Sequence, residues 1–145
     1  MQLLNFLKVF FTTIFLFSAS ITLHAQSSWV NKFDNEKISV NYKKEACNDV
    51  SNGIYRENVL LQLVNKTNEK LEITFKKELW HNGVCSNCNS NSKEHIVTVV
   101  LNPNENTSAS CSENKQLSIF SRMLNLKKSE LTKFEIKDFV INKAQ

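Results

Sequence analysis

Alternation with a period of two runs through much of the chain. Ile38, Val40 and Tyr42 alternate with Ser39 and Asn41, as expected for a strand with one buried face. Residues 59–64 (VLLQLV) are almost continuously apolar, which fits a strand covered on both faces. Beyond the polar turn 65–70, Leu71, Ile73 and Phe75 alternate with Glu72, Thr74 and Lys76. The runs 56–64 and 71–80 therefore predict a hairpin. Further strands are predicted over 94–101, 116–121 and 134–141. In the last of these, Phe134 and Ile136 share one parity while Phe139 and Ile141 share the other. A bulge near Lys137-Asp138 would bring all four to one face.

Helical periodicity is weak. Leu124, Leu126 and Leu131 predict at most one short turn of helix before the final strand. Six or seven short strands, spaced about ten residues apart, argue for an all-β, antiparallel sandwich or open barrel, and a β-sandwich is the architecture expected. Its core is expected to draw on Val40, Leu61, Leu63, Ile73, Phe75, Val97, Val99, Ile119, Phe134 and Ile136. Cys47, Trp80 and Cys111 stand in the Cys–Trp–Cys order of immunoglobulin domains, and the predicted architecture resembles theirs by analogy only. Cys47 falls between strands, Trp80 lies 33 residues beyond it, and no tyrosine stands two residues before Cys111.

Composition adds a compartment. Five of the ten phenylalanines fall in the first seventeen residues, and residues 1–25 read as a secretory signal peptide. Lys8 supplies the positive charge, 9–23 the apolar stretch, and Leu23-His24-Ala25 the cleavage site. That stretch is shorter than the roughly 20 residues a membrane span needs. Residues 26–145 are then a single β-sandwich domain, periplasmic or secreted, with no membrane span after cleavage. The formal charge of the whole chain is +4, too small to mark a nucleic-acid binder. Two glycines in 145 residues leave no phosphate-cradling loop.

Export places the four cysteines in an oxidising setting, where an even number favours disulfides. Strand parity brings Cys47, Cys85, Cys88 and Cys111 to one end of the sandwich. The preferred pairing is Cys85–Cys88 within a loop and Cys47–Cys111 across the end; both crossed pairings stay open. The alternative chemistry uses the same cysteines for metal binding or thiol redox. His81, Cys85, Cys88 and His95 offer the nitrogen and sulfur donors that zinc accepts. Cys85-Ser-Asn-Cys88 has the spacing of a redox pair, without a helix or nearby base to stabilise a thiolate.

No GxSxG, HExxH or calcium-loop motif occurs, and no cofactor is expected. Asn65-Lys66-Thr67 and Asn106-Thr107-Ser108 match the N-glycosylation pattern. Trp80 with Tyr55 is a candidate aromatic platform. The sequence thus predicts an exported, non-enzymatic, disulfide-stabilised module of the cell envelope. Trp80, His81 and Asn82 open the long loop that is its candidate contact surface. The expected partner is another envelope or extracellular protein or a surface ligand.

Overall fold

Two antiparallel sheets pack face to face, each built around one long central strand. The computed structural model describes residues 28–90 and 92–145; the expected signal peptide, 1–25, lies outside the described residues. In chain order the strands are β1 (Val30–Asp34), β2 (Ile38–Ala46), β3 (Arg56–Asn65), β4 (Leu71–His81), β5 (Val84–Cys85), β6 (Ile96–Leu101), β7 (Asn106–Ser108), β8 (Ser118–Met123) and β9 (Leu131–Lys143). The first sheet has β3 at its centre, with β2 and then β1 on one side. On its other edge β3 carries two strands in succession, β7 opposite 62–64 and β8 opposite 56–60. The second sheet repeats the plan. There β4 has β9 along one whole edge, and β6 and β5 share the other, opposite 71–76 and 80–81.

The predicted hairpin is corrected. β3 and β4 form where expected, but they do not pair, because both edges of each are already occupied within its own sheet. The turn between them carries the chain across from one sheet to the other. Their inner faces meet instead, with Val59, Leu61 and Leu63 in one buried core with Ile73 and Phe75. The predicted helical turn is also absent: among the described residues there is no α-helix, and 124–130 is a loop. Only Leu131 of its three leucines is buried, as the first residue of β9. β1 was invisible to periodicity, since Val-Asn-Lys-Phe-Asp offers two apolar residues three positions apart, which is no period of two.

The bulge in β9 is present where the parity break places it. Thr74 faces Val140 and Lys76 faces Lys137, so Phe75 alone stands against Asp138 and Phe139. Asp138 takes a left-handed conformation, φ 50°, which switches the facing of the residues after it. Ile136, Phe139 and Ile141 consequently all pack on the core around Phe134. The Phe139 ring stacks between Phe75 and Phe33, at 5.5 and 4.9 Å.

The apolar run in β3 has a further cause. Leu60 points away from the inner face, opposite Lys43 and Ser118, yet it is fully buried. Between β7 and β8 the chain makes an excursion, 109–117, which leaves one edge of β3. Cys111 in that excursion is bonded to Cys47 at the end of β2, on the other side of β3. The excursion therefore crosses the outer face of β3 and covers Leu60, burying its own Ala109 and Leu117. Lys77 ties it to the second sheet, donating from Nζ to the Gln116 carbonyl at 2.9 Å. Burial holds the Lys77 ammonium below the usual lysine pKa.

Candidate functional site

The structure pairs Cys47 with Cys111 and Cys85 with Cys88, and there is no free cysteine among the described residues. The bridges lie on different sheets, toward the end where β2 and β4 terminate. In an immunoglobulin domain the disulfide joins the two sheets. Here Cys47–Cys111 lies on the outer face of one sheet, and Trp80 belongs to the outer face of the other. The two disulfides fit an oxidising, extracytoplasmic environment.

Both bridges pin an interruption in a strand. After β5 the chain leaves β4 at Ser86 and rejoins it at β6, so 77–79 lose their strand partner on that edge. The side chain of Asn87 replaces it. Asn87 Oδ1 accepts from the Leu79 amide at 2.7 Å, and Nδ2 donates to the Lys77 carbonyl at 2.7 Å. Asn87 is 5% exposed, a buried amide standing in for a peptide unit of the ladder. Ser86 N–H adds a bond to the Leu79 carbonyl at 2.8 Å, and Lys76 Nζ donates to the Cys88 carbonyl at 3.2 Å. Asn87→Ala is expected to destabilise the domain by roughly 1–3 kcal/mol, because it strands the Leu79 amide in a buried setting. A urea melt with an unchanged slope and a lowered midpoint would show it; an unshifted midpoint would refute this role.

The donors of the alternative metal set are engaged elsewhere. Cys85 and Cys88 are bonded to each other and present no thiolate. His81 Nδ1 lies 3.3 Å from Ser86 Oγ, and His95 Nε2 lies 3.4 Å from Glu94 Oε1. No group of three or more His, Cys, Asp or Glu suited to a metal occurs among the described residues. The Trp80 ring is covered by a cation: Lys133 Nζ sits 4.5 Å from its centre. Of the two glycosylation matches, Asn106 is exposed, whereas Asn65 is 1% exposed with its amide fully engaged.

Asn82 belongs to a larger surface. Asn82 and Gly83, both at positive φ, form the tight turn between β4 and β5. The loop from β8 to β9 is locked onto that turn. Asn82 N–H donates to the Glu130 carbonyl at 2.9 Å, Glu130 N–H returns to Asn82 Oδ1 at 3.0 Å, and Gly83 N–H donates to Thr132 Oγ1 at 3.0 Å. Leu124 N–H in turn donates to the Tyr55 carbonyl at 2.7 Å, tying in the connection from β2 to β3. Three connections thus form one bonded pad. Among the described residues, five of the ten exposed large apolar side chains belong to these connections or border them: Val50, Tyr55, Val84, Leu124 and Leu126. Val50 and Val84 are each 70% exposed. Val84 falls in the long loop expected to make contact, and Tyr55 is a platform candidate; Leu124 and Leu126 were hidden by their expected place on a helical turn, and Val50 carried no expectation. The spacing of Leu124 and Leu126, two apart among polar residues with no strand pattern around them, was the available signal. No family model, curated protein or solved structure matches the chain.

Proposed function

We propose that the chain is an exported, non-enzymatic binding module of the cell envelope, in which a disulfide-pinned β-sandwich presents this pad as its contact surface. The observation that carries the reading is the contrast between the two ends. At the opposite end the connections 35–37, 66–70 and 102–105 bear Glu36, Lys37, Lys66, Glu69, Lys70 and Glu105, and none of the exposed large apolar residues. Connections that carry exposed apolar side chains at one end and none at the other give that first end reason to present them to something. The signal sequence and the two disulfides support export. The pad is formed by loops held on rigid sheets, the usual place for recognition.

Photo-crosslinking tests the assignment. A benzophenone side chain at Leu126 or Val84, in protein kept in its native envelope, is expected to give adducts. The same group at Asn68, on the opposite end, should give few. Equal yields from both ends would refute the pad as the contact surface.

A further inference from the structure

The chemistry around the pad indicates what it contacts. Leu124 and Leu126 are 44% and 48% exposed, and the exposed Lys127 and Lys128 follow them directly. The other charges of the loop are already met. Arg122 lies 3.3 Å from Glu57 and 3.4 Å from Glu130. Asp49, next to Val50, accepts from Ser51 Oγ and Asn52 Nδ2, each at 2.7 Å; these neutral donors leave its negative charge in place, so Val50 is bordered by an anion. Those bonds hold its carboxyl below the usual range. Within this loop, what remains free is a pair of apolar tips, Leu124 and Leu126, with an adjoining pair of ammonium groups, Lys127 and Lys128.

We infer that this end of the sandwich docks on an anionic lipid surface, with Leu124, Leu126 and Val84 entering the headgroup boundary and Lys127 and Lys128 meeting lipid phosphates. Apolar tips beside lysines suit an interface that is greasy below and negatively charged above. A protein partner would also cover apolar side chains. The exposed lysine pair favours the lipid, because lysine is depleted from protein–protein contacts. No helix among the described residues is long and apolar enough to cross a membrane. This inference rests on the pad being the contact surface, and it names the occupant.

Vesicle binding by the mature chain, in phosphatidylglycerol-containing and in pure phosphatidylcholine bilayers, tests it. Cosedimentation is expected with the anionic vesicles, weakening as salt rises, and little with the neutral ones. Lys127→Glu with Lys128→Glu should weaken binding at least tenfold, given the attraction of each lysine to such a surface. Leu124→Asp with Leu126→Asp should do the same, while Ile96→Asp with Val100→Asp, on the outer face of β6, should not. Circular dichroism confirms that each variant is folded. If the leucine pair fails that check, Leu126→Trp serves in its place, with a blue-shifted emission expected on anionic vesicles. Failure of the wild type to bind anionic vesicles, equal binding to neutral ones, or full binding by the pad variants would each overturn the lipid assignment. Protein adducts from Leu126 together with no vesicle binding would remove the lipid and leave the contact surface standing.

Discussion

Replacing Cys47 and Cys111 together by alanine is expected to destabilise the domain by roughly 2–5 kcal/mol, the usual cost of losing a native bridge in a small exported domain. The two cysteines are 64 residues apart. Freeing a loop of that length restores chain entropy to the unfolded state worth about 4 kcal/mol. The folded state loses as well, since this bridge holds the 109–117 excursion across β3 and keeps Leu60 dry. Both effects act in the same direction.

The other bridge sets the comparison. Cys85 and Cys88 are three residues apart, and a loop that short contributes less than about 2 kcal/mol by the same entropy. Its excursion is also held independently, by the Asn87 amide on Leu79 and Lys77. Removing Cys85 and Cys88 should therefore cost the less of the two. Denaturant melts of the two double variants, run side by side, compare them directly. If the short bridge proves the more costly, the excursion over Leu60 does not hold the fold together in this way.

How much of this was legible depended on whether the backbone or a side chain did the pairing. Ile73 and Phe75 alternate because β4 has one face in the core, and nine of the ten expected core residues are buried, with Ile136 partly so. The parity break between Ile136 and Phe139 likewise reported a real bulge. Partner choice was not legible. The turn after Asn65 is short enough for a hairpin, and nothing local says that β3 and β4 each have both edges filled by strands from elsewhere in the chain. Leu60 held the missing clue: an apolar residue on the outer parity required a cover. Asn87 could not be found at all, because a side-chain amide that replaces a peptide unit leaves no periodic trace. The same holds for the pad, whose parts converge from three connections far apart in sequence.

Asn65→Ala is expected to lower stability by about 2–4 kcal/mol, although it removes no apolar area. Asn65 ends β3, and its side chain knits together the two connections that cross between the sheets beside it. Nδ2 donates to the Glu69 carbonyl at 2.7 Å and to the Asn102 carbonyl at 2.8 Å. Oδ1 accepts from the Thr67 amide at 2.9 Å and from Thr67 Oγ1 at 2.8 Å. Those four bonds meet the full capacity of a primary amide, inside a site that is 1% exposed. Alanine leaves two carbonyls and an amide to find water at the sandwich end, and the bridge from 66–70 to 102–105 is lost. Asn65→Asp makes a sharper test at the same volume. It keeps the acceptor toward Thr67 but turns a carboxylate toward two carbonyl oxygens, so its folded-state pKa should be raised. The aspartate variant should then be weakest at neutral pH and regain stability as pH falls through that raised pKa, where a protonated carboxyl can donate one of the lost bonds. Chemical melts of both variants between pH 4 and 8, a range on the order of that over which such groups titrate, would separate the outcomes. A loss under about 0.5 kcal/mol for alanine, the level of an ordinary surface substitution, would mean that the two connections hold their shape without this amide.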